Sequence, residues 1–275
     1  MRRPVNTVAL ITDYGLRDPY VGVVKGVIKS INPHVEIIDV THNVPKFNIL
    51  IGALILKKTY RYFPKGTVFV GIIDPTVGSP RRPILIVSKN YYFVGPDNGL
   101  LIPASTDDGV ELVIHLTNDT FFVKPVSVTF HGRDIFAPVA AYLSLGIDPR
   151  AFGQVLSVDE LVKIEVKEFY KITEEGMLIT KVLLVDDFGN VILPIEFSKF
   201  AELLNVRYGS KVFIKAKCSG SPYEARVSRG FSEVCEGCLA VYEDSYGLAE
   251  IGVFMGNASE LLGLGIGDKV CIGKA

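Results

Sequence analysis

Residues 68–82 read Val68-Phe69-Val70-Gly71-Ile72-Ile73-Asp74-Pro75-Thr76-Val77-Gly78-Ser79-Pro80-Arg81-Arg82. An unbroken apolar run turns polar at one step. Such a run fits a strand buried on both faces, the kind found in parallel sheets covered by helices. Polar residues at the carboxyl end of such a strand lie where open α/β sheets build their sites. On either side the chain alternates strand and helix patterns. Residues 8–12 and 35–40 read as strands. Between them, Val23, Val24, Val27, Ile28 and Ile31 recur with helical period over 20–31, stopped by Asn32-Pro33. Asn48 can cap a helix over 49–62, and Pro64-Lys65-Gly66 turns the chain. Residues 83–88 and 91–94 follow as strands, and a helix over 134–145 ends at Gly146. This pattern predicts an α/β domain over residues 1–165 with a mostly parallel sheet.

From about residue 175 the texture changes. Short apolar segments at 177–185, 191–195, 211–217, 223–227, 239–242, 248–254 and 269–272 are split by Gly, Ser and Asn, with one helix over 197–204. They predict a smaller, all-β barrel domain over 175–275, with the boundary near 160–175.

The chain has 275 residues, 29 Lys+Arg against 30 Asp+Glu, and a formal net charge of −1. That balance argues against an electrostatically driven nucleic-acid binder. The longest apolar run, residues 49–56, falls short of the roughly 18–20 residues of a membrane span. The basic start Met1-Arg2-Arg3-Pro4 precedes too short an apolar stretch for a signal peptide, so a cytoplasmic protein is expected. Cys235-Glu236-Gly237-Cys238 is a C-x-x-C, and Cys218 and Cys271 stand alone. Inert or structural thiols are the first reading; a disulfide and a metal site stay open.

Polar clusters follow several strand ends: Thr12-Asp13-Tyr14-Gly15, Asp74 to Arg82, Pro96-Asp97-Asn98-Gly99, Thr129-Phe130-His131-Gly132-Arg133-Asp134, and Asp186-Asp187-Phe188-Gly189-Asn190. Singly, each is ordinary turn or cap chemistry. His131 stands out by its company, since a His, an Arg and an Asp from strand ends can polarise a water. His42, at a strand end, is a further candidate for the same cleft, whereas His34 and His115 read as ordinary histidines. No Walker A loop, dinucleotide fingerprint, nucleophile elbow or H-E-x-x-H occurs, and Gly263 to Gly267 leads to a strand rather than a helix.

Seven segments in order, ITDYG (11–15), DVTHNVP (39–45), GIIDPTVGSPRR (71–82), PDNGLL (96–101), TFHGRDIFAPVAA (129–141), VDDFGNVI (185–192) and EIGVFMGNASELL (250–262), make the chain resemble the S-adenosyl-L-methionine hydroxide adenosyltransferases, relatives of fluorinase and chlorinase. The resemblance implies a homotrimer whose sites lie between the α/β domain of one subunit and the β domain of its neighbour. It implies hydrolysis of S-adenosyl-L-methionine to adenosine and L-methionine, with no cofactor and no metal, and with no nucleic-acid or membrane partner. Asp74, Arg81 and His131 match the water-activating trio. Asp13 matches the carboxylate on the ribose hydroxyls, and Phe47 an aromatic position nearby. Phe188 and Asn190 match an adenine-packing aromatic and an adenine-binding amide, with Phe231 as a stacking partner and Val253 and Met255 as backbone contacts to adenine. Asp186, with Asp187 as its alternative, matches the acid for the methionine ammonium, and Ser245 a methionine contact. Tyr246 departs from the halogenases, which carry an arginine there. Two rivals follow: a non-catalytic sensor of adenosine or S-adenosyl-L-methionine, and a halogenase. The joint presence of Asp74, Arg81 and His131 favours catalysis. Methyl transfer is disfavoured because no glycine-rich fingerprint follows the first strand.

Overall fold

The structure is a computed structural model that describes residues 5–164 and 170–275. The start at residues 1–4 and part of the expected boundary, 165–169, lie outside them. Backbone contacts divide the chain into two compact units, Met1–Glu165 and Val166–Ala275. Among the described residues no helix is long and apolar enough to cross a membrane.

The first unit comprises β1 (Thr7–Thr12), α1 (Tyr20–Ile31), β2 (Glu36–Thr41), α2 (Ile49–Thr59), β3 (Val68–Ile72), β4 (Pro83–Ser88), β5 (Tyr92–Pro96), α3 (Ile102–Asp108), β6 (Val110–Leu116), α4 (Ala137–Ser144) and β7 (Gly153–Leu156). Its seven strands are ordered β2-β1-β3-β5-β4-β6-β7. Val21, Val24 and Ile28 form the buried stripe of α1, and the Asn48 side chain caps α2 by accepting from Ile51 N–H at 3.0 Å. Side chains of β1 and β3 alternate between two buried faces. Leu10, Val70 and Ile72 share a core with Val24, Ile28 and Val139. On the opposite face Gly52 of α2 lies so close to Ile73 that a Cβ there would come within 2.7 Å of its Cδ1. Covered on both faces, these strands carry no alternation.

The sheet is mixed rather than mostly parallel. β2, β1, β3 and β5 run parallel, whereas β4 is antiparallel to both β5 and β6, and β6 to β7. The short link between β4 and β5 compels a hairpin, because a parallel crossover needs a dozen or more residues. An apolar strand buried on both faces reads the same in either direction. The chain steps from β1 to β2 on one side and returns through α2 to β3 on the other, which makes a switch point between β1 and β3. Their register, Thr12 opposite Ile72, brings the two carboxyl ends level there.

The second unit comprises β8 (Tyr170–Ile172), β9 (Leu178–Lys181), β10 (Leu184–Val185), β11 (Val191–Glu196), α5 (Phe197–Leu204), β12 (Lys211–Ala216), β13 (Tyr223–Val227), β14 (Leu239–Glu243), β15 (Leu248–Val253), α6 (Ala258–Leu262) and β16 (Lys269–Lys274). Nine strands are ordered β10-β11-β15-β14-β13-β12-β16-β9-β8. This corrects the all-β barrel: beside the expected helix α5 a second, α6, is present, and among the described residues no ladder joins the end strands. The stretch 177–185, expected as one strand, divides. β9 pairs with β16 near one end of the order, and β10 with β11 at the other. All four cysteines are paired, Cys218 with Cys271 and Cys235 with Cys238, which displaces the reading as free thiols.

Candidate active site

At the switch point a cleft of about 380 Å³ opens, lined among others by Asp13, Tyr14, Lys46, Phe47, Asp74 and His131. Asp13 follows β1 directly and is 6% exposed. Its Oδ2 accepts from Phe47 N–H at 2.8 Å, and Lys46 Nζ donates to its backbone carbonyl. Phe47 has φ 63°, a left-handed conformation that costs a side-chain-bearing residue of order 1–3 kcal/mol. The strained residue is the one that presents its N–H to Asp13.

Asp74 stands just past β3. Arg81, seven residues on across a turn, grips it with two donors: Nε reaches Oδ1 at 3.0 Å, and Nη2 reaches Oδ2. The same Nη2 lies 2.8 Å from His131 Nδ1. The guanidinium also sits 5.5 Å from the Phe136 ring centroid. Both side chains of the Arg81–Asp74 pair are less than a tenth exposed. A guanidinium can only donate, so His131 Nδ1 must accept. The imidazole is therefore neutral, with its proton on Nε2. Burial, and then the Arg81 charge, hold its pKa below the ordinary histidine value, in agreement. His131 leads into one π-helical turn, Gly132–Phe136, ahead of α4. Asp134 in that turn is fully buried, bound by Arg133 at 2.6 Å and by Ser127 N–H at 2.8 Å. It is a structural anchor of the turn. A Cβ on Gly132 would fall 2.7 Å from the Tyr14 hydroxyl, so glycine lets that phenol lie against the turn. Burial, then Asp13 and Asp74, keep Tyr14 protonated well above the ordinary phenol value.

Asp97 and Asn98 serve the frame around the cleft. Asp97 takes Arg82 at 2.9 and 2.6 Å, and Asn98 Nδ2 donates to Ile73 O at 2.8 Å. His42 is buried behind Thr12 and does not line the cleft. Tyr14 and Lys46 do line it without having been singled out. The available signal was their neighbours: Tyr14 follows Asp13 in the segment 11–15, and Lys46 stands between the segment 39–45 and Phe47.

In the second unit the polar residues form a cluster of their own. Asp186 Oδ1 accepts from Phe188 N–H at 3.0 Å and Asn190 N–H at 2.8 Å, while Oδ2 accepts from Asn190 Nδ2 at 3.0 Å. Asp186 thus shapes its own turn. The Asn190 nitrogen is committed to it, and its Oδ1 faces Gly252. A Cβ on Gly252 would meet Phe231 Cε1 at 2.7 Å, the Tyr242 hydroxyl at 2.8 Å and Asn190 Oδ1 at 2.9 Å. Phe231 packs edge-on to Tyr242, ring centroids 4.7 Å apart, and Tyr242 donates to buried Glu250. Burial above all, with Asp186 and Asp244, pushes the Glu250 carboxyl up to about 7, against the opposing hydrogen bond from Tyr242. Phe188 and Met255 are 79% and 78% exposed, Val253 is buried at the end of β15, and Ser245 and Asp187 are exposed. Tyr242 and Glu250 were not anticipated; a single acid inside an apolar strand was the signal. Among the described residues no group of three His, Cys, Asp or Glu is arranged to hold a metal ion.

Comparison with known proteins covers nearly the same length. The profile of the SAM hydroxide adenosyltransferase N-terminal domain matches residues 8–153, and that of the C-terminal domain residues 180–271. The (R)-S-adenosyl-L-methionine hydrolase of Salinispora arenicola is 36% identical over 96% of both chains. That of Methanocaldococcus jannaschii is 34% identical over 97% of this chain and 95% of its own. A fluorinase of Nocardia brasiliensis is 27% identical, covering 90% and 89%. The crystal structure of an uncharacterized conserved protein from Thermotoga maritima superposes with a TM-score of 0.86 at 38% identity, covering 97% of this chain and 99% of that one. Matched in both domains, and at more than a third identity over almost its whole length, the chain belongs to the SAM hydroxide adenosyltransferase family.

Proposed function

We propose that the protein hydrolyses S-adenosyl-L-methionine, in the (R) form named for its relatives, to adenosine and L-methionine. The observation that carries this reading is the Asp74–Arg81–His131 cluster beside Asp13 in one cleft. Water attacks ribose C5′ in line with the C5′–S bond, and the sulfonium leaves as a neutral thioether. Departure needs no acid, so the protein's task is to aim a weak nucleophile. Asp74 accepts a proton of the attacking water, and Arg81 fixes the carboxylate. His131, neutral with its proton on Nε2, donates to the water oxygen and positions it. Asp13 takes the ribose diol, with Phe47 beside it.

Asn190 Oδ1, Phe188, Phe231 and the backbone of Val253 and Met255 take the adenine, and Asp186 and Ser245 the methionine. On the strength of the family resemblance the working form is a homotrimer, each substrate being shared between neighbouring subunits. Incubation with S-adenosyl-L-methionine followed by chromatography tests the reading. Adenosine and methionine are expected in equal amounts, with and without EDTA. Formation of S-adenosylhomocysteine, or binding without turnover, would refute it.

A further inference from the structure

A network behind the cleft, buried at Thr12 and His42 and reaching the surface at Asp39, is not used by the chemistry above. His42 is 4% exposed, and its Nδ1 lies 2.9 Å from Thr12 Oγ1. Its Nε2 lies 3.1 Å from Asp39 Oδ1, close enough for attraction though not aligned as a hydrogen bond. Asp39 in turn accepts from Lys25 Nζ at 2.7 Å. The carboxylate favours the tautomer with the proton on Nε2, which leaves Nδ1 to accept the Thr12 hydroxyl proton. Thr12 Oγ1 then accepts from Tyr14 N–H at 3.2 Å. The His42 carbonyl accepts from Gly15 N–H at 2.7 Å. One residue therefore fastens both sides of the turn that carries Asp13, through its ring to Thr12 and Tyr14, and through its backbone to Gly15.

We propose that His42 is a positioning residue for ribose recognition: its ring, anchored by Asp39, locks the turn over residues 12–15 so that Asp13 meets the diol in a fixed orientation. This rests on the reading of Asp13 as the ribose carboxylate. Lys46 and Phe47 hold Asp13 through contacts of their own, at its backbone carbonyl and at Oδ2, so loss of His42 loosens the turn and leaves those contacts in place. The consequence is selective. A ligand that makes no diol contact gains nothing from an oriented Asp13 and loses nothing when the orientation slackens.

Calorimetric titration of the full-length protein with adenosine and with 2′,3′-dideoxyadenosine tests this. The wild type is expected to favour adenosine by about tenfold or more, the worth of a well-placed charged hydrogen bond. His42→Ala is expected to bring that ratio close to one by weakening adenosine alone. His42→Asn, whose side-chain oxygen can stand in for Nδ1, restores most of it. Asp39→Asn repeats the measurement at a partly exposed position should His42→Ala fail to fold, and it is expected to reduce the ratio in the same direction. Retention of the wild-type ratio in His42→Ala or Asp39→Asn, or equal weakening of both ligands, overturns the positioning role. A wild type that does not distinguish the two ligands overturns the reading of Asp13 instead.

Discussion

Arg81 holds Asp74 through two nitrogens at once, Nε at 3.0 Å from Oδ1 and Nη2 on Oδ2. A planar fork on a planar carboxylate fixes orientation as well as charge, which a single lysine ammonium cannot do. The same Nη2 also sets the tautomer of His131, so three side chains move as one unit.

Asp74→Asn, Arg81→Ala and His131→Ala are each expected to lower kcat by about 10²–10³ with little change in ligand affinity. Arg81→Lys should behave like Arg81→Ala, because the bidentate grip is lost. Because His131 must stay neutral to accept from Arg81, wild-type activity should fall as pH drops below the ordinary histidine value of 6.5 and its lowered pKa is crossed. Steady-state kinetics beside calorimetry separates the two effects. A variant with wild-type turnover removes that residue from the mechanism.

Much of this arrangement was legible in the order of residues, and the limits are physical. Tyr20–Ile31 and Phe197–Leu204 are helices whose buried positions recur with helical period, and both bounds were readable. Strand direction was not: Ile84, Leu85 and Ile86 are buried like Val68, Phe69 and Val70, yet the first set pairs antiparallel. The helix Ile102–Asp108 was missed: at seven residues it is too short to display a helical period. Asp74, Arg81 and His131 could be named because each sits in a distinctive segment. Their bonding, across seven and fifty positions, exists only once the turn after β3 and the turn ahead of α4 come together.

Glu250 should make stability fall with rising pH. Below its ordinary value of 4.5 the carboxyl is protonated in folded and unfolded chains alike, and no penalty arises. Between 4.5 and about 7 the unfolded chain ionises first while the native state keeps its proton, so stability declines across that interval and levels off above it. The full change is about 3 kcal/mol. Urea unfolding followed by circular dichroism at several pH values should show the decline in wild type and a flatter profile in Glu250→Gln. An equally steep profile in the variant would assign the effect elsewhere.

The Cys218–Cys271 disulfide closes a loop across 53 residues and ties β16 to the segment after β12. By loop entropy alone it is worth about 4 kcal/mol against the unfolded chain. Thiol titration of the denatured, unreduced protein should find no free cysteine, and four after dithiothreitol. Cys218→Ser should lower the unfolding free energy by up to that amount. Free thiols before reduction would remove the disulfide from the account of stability.

The protein is expected to hydrolyse and not to halogenate, although fluorinases are among its relatives. A halide poised for attack at C5′ must sit where Asp74 would receive the water proton. At about 4 Å from a carboxylate it meets a repulsion of about 4 kcal/mol at an effective dielectric of about 20. Arg81 is the nearest source of compensation, but Nε and Nη2 are already committed to Asp74, and Nη2 also to His131. Its remaining terminal nitrogen, Nη1, is buried without a hydrogen-bond partner, and Arg81 is not among the residues that line the cleft. Water suffers no such repulsion and donates a proton to the same oxygen. Mass spectrometry of reactions run in molar chloride should therefore detect adenosine and essentially no 5′-chloro-5′-deoxyadenosine. In Asp74→Asn the repulsion is gone, and the ratio of chlorinated product to adenosine should rise even as total turnover falls. Chlorinated nucleoside as the main wild-type product would sink the hydrolytic reading while leaving fold and substrate in place.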